Sequence, residues 1–344
     1  MTDATATGIA VSRAYSDEVV SPLLARRFPG MPFTAGRLGA GSDALGRDDA
    51  TSRDHDWGLR LSLLVPPDAV ASVDAALERS LPAEFRGLPT RFPFTGESHA
   101  RHHVEVSTVS DFVRSKLGFH PLEGISVLDW LSLSGQAALE VVAGPIFTAH
   151  DDELLRVRRA LAWYPDDVWR YVLASDWARI AQELPLMGRA ADVGDELGSR
   201  ILAARLAHVV MHLSFMLERR WPPYAKWMGS LFLDLPGASA LRRPLHAAVS
   251  GAGWQTRERG IADALELLLV RQNARGLTSA RHATVPFWDR PYVHPDPAIV
   301  SQLLEPILDP ELLALQVGLG SAEQRTENVD ILVDPAARRH LVGA

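Results

Sequence analysis

The stretch Leu38–Leu64, LGAGSDALGRDDATSRDHDWGLRLSLL, constrains this chain more than any other. A turn of small residues, Gly39-Ala40-Gly41-Ser42, is followed after eleven residues by Asp54-His55-Asp56 and then by a run of strand formers. On an extended chain, residues 54 and 56 project to the same side. Two carboxylates that close repel one another unless a cation lies between them. The glycines upstream let backbone N–H groups close on an anion. A phosphate-holding turn beside a carboxylate pair that can hold Mg²⁺ suits phosphoryl or nucleotidyl transfer. Residues 39–44 also fit the loose dinucleotide pattern G-x-G-x-x-A, but that pattern needs a helix to begin at once. LGRDDATSRD supplies charges and turn formers instead, and no G-x-x-x-x-G-K-[ST] is present.

Around this stretch the texture of the chain changes once. Before about residue 150, short strand-like runs alternate with helices. A helix capped by Ser16 and Asp17 is expected to end at Pro29-Gly30 after a loose tail over residues 1–12. A strand over about Trp57–Val65 is followed by a helix over Ala69–Leu81. Glu105 stands alone between valines in His103-Val104-Glu105-Val106, where a half-buried acid needs a cation or hydrogen-bond donors. Leu139–Thr148 reads as a strand pair broken at Gly144-Pro145. After about Asp151 long amphipathic helices take over: Leu154–Trp163, Asp166–Leu184 and Val193–Arg220, with more beyond. The boundary therefore falls near residue 150.

With 344 residues the chain is long enough for two cores. Its net charge of −7 argues against an extended nucleic-acid surface. Cysteine is absent, which excludes disulfides and thiolate metal sites. No signal peptide is read at the start, and the most apolar helix carries Arg205, His208 and His212. A cytoplasmic protein without a membrane partner is expected.

Gly41-Ser42 followed by Asp54-His55-Asp56 resembles the signature of the nucleotidyltransferase superfamily, which has the polymerase-β-like fold. His55 departs from the apolar residue usual between the two acids. The wider wording, including LAWYPDDVWRYVLASDWARIAQELPLMGRAADVGDELGSRI and ERRWPPYAKWMGSLF, is similar to the DUF4037 family from about Leu38 to residue 332. The resemblance implies an α+β fold: a nucleotidyltransferase-type mixed β-sheet catalytic domain over residues 1–150, then an all-helical domain over 151–344 completing the nucleotide and acceptor cleft. It implies that Asp54, Asp56 and Glu105 serve two Mg²⁺ ions, Glu105 as third ligand or general base. Gly41, Ser42, Arg53 and Lys226 would hold the nucleotide, and Asp195 in the GDELGS run is an acceptor-site candidate. The implied reaction moves a nucleoside monophosphate, AMP from ATP, onto a hydroxyl of a small molecule and releases pyrophosphate. The alternatives are nucleotidylation of a protein side chain, its own or a partner's, and nucleotide binding without transfer.

Overall fold

The computed structural model describes residues 7–48, 57–93 and 98–343. The chain divides into two compact units, Met1–Ile125 with Ala137–Ala162, and Ser126–Gln136 with Trp163–Ala344.

In the first unit, α1 (Gly8–Tyr15) passes through a π-helical turn at Ser16–Val20 into α2 (Ser21–Arg27). The helix begins at Thr7, whose hydroxyl accepts the Ala10 N–H at 3.2 Å, so residues 8–12 are not tail and Ser16 is interior. The apolar spacing explains both points. Val11, Tyr15, Val20 and Leu24 all reach the core, and the five-residue step from 15 to 20 is the extra residue of the π turn.

β1 (Thr34–Gly36) and β2 (Arg60–Leu64) then pair antiparallel, and α3 (Val70–Ser80) follows. A small hairpin, β3 (Glu84–Phe85) and β4 (Leu88–Pro89), leads to β5 (Arg91–Phe92) and β6 (Arg101–Ser107). β6 lies parallel to β2, and α4 (Val109–Leu117) leaves it under a Thr108 cap. α5 (Val127–Ser132) belongs to the second unit. α6 (Gly135–Val142), β7 (Ile146–Ala149) and α7 (Glu153–Ala160) follow. Leu139–Thr148 is thus the end of a helix and a single strand. Ala137, Ala138 and Val141 bury one helical stripe, and Gly144 makes the turn at φ 76°. The mixed sheet has the order β5-β6-β2-β1-β7. Leu61, Leu63, Val104 and Ala35 turn one face of it to the core, leaving Arg60, Ser62, His103 and Glu105 on the other.

The second unit is mainly helical: α8 (Asp166–Asp192), α9 (Glu196–Leu217), α10 (Ala225–Phe232), α11 (Ala238–Ser250) and α12 (Trp254–Ala274). A hairpin of β8 (Thr284–Pro286) and β9 (Val293–Pro295) precedes α13 (Pro297–Leu304). The α+β class with a helical C-terminal region is therefore as expected. α8 runs through Pro185 instead of stopping at Leu184, since its buried stripe continues to Met187 and Gly188. α9 is long and apolar enough to cross a membrane, but 61% of its apolar window is buried inside the protein. It packs on α8, with the Trp169 indole N–H donating to the Met216 carbonyl at 2.8 Å.

Candidate active site

The turn after β1 is built on Arg37. This side chain is only 2% exposed, and its guanidinium grips Asp43 through Nε and Nη2 at 2.7 and 2.8 Å. It also donates to the carbonyls of Leu38 and Ala40 at 2.7 and 2.9 Å. Gly41 sits directly over this pair at φ 138°, where a Cβ would lie 2.2 Å from Arg37 Nη2 and 2.4 Å from Asp43 Oδ1. Glycine is therefore required here by the ion pair beneath it. The Ser42 carbonyl accepts from Leu45 and Arg47 N–H at 3.1 and 2.8 Å, closing the turn. Its hydroxyl has no hydrogen-bond partner among the described residues and stays available to a ligand. Asp48 accepts the Gly8 N–H at the start of α1, a helix-end contact rather than a solvated loop position.

The sheet register sets the rest of the geometry. Gly36 pairs with Ser62 and Ser62 with Glu105, so the three stand in one row across three strands. Neighbouring strands lie about 4.8 Å apart, so Glu105 is two strands from the residue where β1 runs out into the glycine turn. Because β1 is antiparallel to β2, the turn lies toward the end at which β2 begins. Glu105 is on the polar face and its side chain is 48% exposed. Its nearest cation among the described residues is Arg60, Nη2 to Oε1 4.0 Å, a contact loose enough to leave carboxylate oxygens for a hard divalent ion.

Arg53, Asp54 and Asp56 lie outside the described residues. Among the described residues no group of three or more His, Asp or Glu forms a metal cluster. His103 makes a 2.6 Å hydrogen bond with the Phe92 carbonyl, whereas His102 lies 3.5 Å from Asp74, so the two adjacent rings serve different partners.

Lys226 and Asp195 belong to the second unit. Lys226 is exposed in the first turn of α10, its ammonium 5.1 Å from the centre of the Trp227 ring. Asp195 caps α9, accepting the Gly198 N–H at 2.8 Å. The next residue, Glu196, forms a two-armed ion pair with the buried Arg257, at 2.8 and 2.9 Å, and Ser199 accepts from the same guanidinium. The GDELGS run thus has a structural task at four of its positions, Asp195, Glu196, Gly198 and Ser199.

One buried cluster in the second unit had no local signal in the sequence. His212 Nδ1 lies 2.7 Å from Asp176 Oδ2 and its Nε2 lies 3.3 Å from Glu323 Oε1. Gln324 donates to Asp176 at 2.6 Å and the Gly135 N–H donates to Glu323 at 2.7 Å. Burial alone would push the imidazole pKa down, but the two carboxylates outweigh it and raise it to about 10. His212 is thus a fixed cation, unsuited to act as a base at neutral pH. Neighbouring His208 shifts the other way, through desolvation and then the His212 charge, despite Glu327 at 3.0 Å.

A mixed sheet carrying an exposed acid two strands from the strand that runs into a glycine-serine turn, and a mainly helical second unit, make an α+β protein of two units. Residues 130–228 match the model of the family described as a domain of unknown function, DUF4037, which bears out the resemblance over that span. The match takes in Lys226 and Asp195 and leaves out the turn and the three acids. None of the curated proteins matches the chain. Among solved structures, that of a nucleotidyltransferase-like protein from Exiguobacterium sibiricum 255-15 is similar at 14% identity, covering 77% of each chain with a TM-score of 0.35.

Proposed function

We propose that this protein is a Mg²⁺-dependent nucleotidyltransferase that moves AMP from ATP to a hydroxyl of a small-molecule acceptor. The observation that carries the reading is the row Gly36–Ser62–Glu105, which sets a carboxylate two strands from the Gly41-Ser42 turn. Asp54 and Asp56 stand in the chain just ahead of β2, the strand between them. In this reading the three carboxylates would hold Mg²⁺, which neutralises phosphate charge and activates the acceptor oxygen when bound. Glu105 offers the hard oxygen donors that ion takes. The Ser42 hydroxyl and the turn hold phosphate, Arg53 and Lys226 add positive charge to the triphosphate, and Glu105 either binds metal or takes the acceptor proton. Asp195 remains an acceptor-side candidate only if its cap opens.

The full-length protein is to be incubated with ATP, Mg²⁺ and pooled small hydroxyl metabolites, and pyrophosphate measured. The expected result is pyrophosphate release with a mass gain of one AMP on an acceptor, lost by about a hundredfold or more in Asp54→Asn. A mass gain on the protein itself would assign the acceptor to a side chain instead. Release unchanged in Asp54→Asn would overturn the assignment of the acids.

A further inference from the structure

A groove along α8 in the second unit takes no part in that reaction. Two hollows of about 540 and 380 Å³ adjoin at Gln182, within the range of small-molecule sites. Residues 178, 182, 185 and 189 line them at helical spacing, so a single stripe of α8 forms the floor. Pro185 cannot donate to the Ala181 carbonyl, and both residues are part of that floor.

At one end stands the tip of the β8–β9 hairpin. Trp288 is 82% exposed there and stacks on Phe287 with ring centres 4.8 Å apart and planes at 28°. Its backbone φ is 52°, in the left-handed region that a bulky residue seldom enters. The surrounding structure holds it there. Phe287 N–H donates to the Tyr292 carbonyl at 2.9 Å, and the Tyr292 hydroxyl bonds Asp192. The Tyr292 ring lies so close on Gly188 that a Cβ would come within 2.6 Å of it. The strained backbone thus holds a large, mostly exposed ring at the end of the groove, a surface on which a planar base can stack.

Along the rest of the groove the charge is positive. Arg179 and Arg205 share one oxygen of Glu183, at 3.2 and 2.7 Å. Arg325 is fixed by the Leu319 and Leu341 carbonyls at 2.9 and 2.8 Å. With Arg189 and Arg290, five arginines face two carboxylates, Glu183 and Asp289, a local charge of +3 on a chain of −7. Planar guanidinium forks match phosphate oxygens pairwise.

We propose that this groove binds a nucleoside diphosphate, the base stacked on Trp288 and the phosphates held by the arginines of α8 and α9. From Arg179 to Arg189 the helix rises about 15 Å, room for a base, a sugar and a short phosphate chain in line. The site stands whether or not the first unit transfers nucleotides.

The test uses the full-length chain carrying Asp54→Asn, in EDTA, so that the proposed metal site contributes nothing. ADP, adenosine and pyrophosphate are titrated separately by calorimetry. ADP is expected to bind saturably, and adenosine and pyrophosphate each at least about tenfold more weakly. Trp288→Ala should weaken ADP about tenfold, the scale of one base-on-ring stack, and Arg189→Gln severalfold. Both side chains are exposed, so both variants should melt with the parent protein. Absence of saturable ADP binding at millimolar concentration would overturn the proposal, as would an unchanged affinity in the Trp288→Ala, Arg189→Gln double variant.

Discussion

Arg37 shows how much of the turn depends on one side chain. Its charge is buried, and Asp43 is its only carboxylate partner among the described residues. Asp43→Ala leaves that guanidinium without its counter-charge, a change that costs about 3–5 kcal/mol for buried pairs, and should lower the melting temperature clearly. Gly41→Ala meets both a positive φ and the Arg37 tip, and should be as damaging. Ser42→Ala removes a hydroxyl with no partner among the described residues, so its melting point should match the parent while its affinity for ATP and Mg²⁺ falls. Equal melting losses in all three would show that Ser42 is merely part of the turn. The glycines and Ser42 are legible in sequence because they cluster. Arg37 is not, since it stands six positions ahead of Asp43 and nothing marks it as buried. Trp288 is equally silent: nothing in the residues beside it marks it as the exposed ring of a hairpin tip.

At the scale of elements, α8 and α9 are legible from their apolar period, but the charge that joins them is not. Asp176, His212 and Glu323 are 36 and 111 residues apart in the pairs they make, and no local spacing predicts them. Pro185 misleads for the opposite reason: its local veto on helix is overridden by the buried stripe on either side. The cluster gives these helices a specific pH dependence. His212 ordinarily titrates near 6.5 and is held at about 10 in the fold. A raised pKa means that the native state binds the extra proton. The stabilisation is therefore complete below about pH 6.5 and is lost as pH rises through about 10. Denaturation midpoints measured from pH 6 to 10 should fall with a slope containing about one proton from this residue. His212→Gln should be less stable at pH 7 and show a flatter decline. An identical slope in the variant would remove His212 as the cause.

At the scale of the molecule, the sequence reading of strands first and helices later is sound in class, yet it hides a crossing. Residues 126–136 belong with the helices that follow residue 163, although residues 137–162 return to the first unit. No composition shift reveals this, because the tie is made by single hydrogen bonds far along the chain. Arg338 is fully buried and donates to the Ser132 carbonyl at 2.9 Å. Ser134 donates to the Leu332 carbonyl at 2.7 Å, Arg339 pairs with Asp129, and Glu323 takes the Gly135 N–H. A fragment of the contiguous stretch alone, residues 163–344, would lose the Ser132 carbonyl from Arg338, the Ser134 hydroxyl from the Leu332 carbonyl, the Gly135 N–H from Glu323 and Asp129 from Arg339. Buried polar groups left unpaired cost about 1–3 kcal/mol each, and several together approach the whole stability of an ordinary domain. The fragment should therefore unfold without a sharp transition, and a synthetic peptide of residues 126–136 added in trans should restore cooperativity and raise the midpoint. A fragment 163–344 that melts sharply at the parent temperature, indifferent to the peptide, would show instead that the helical unit is complete without that segment.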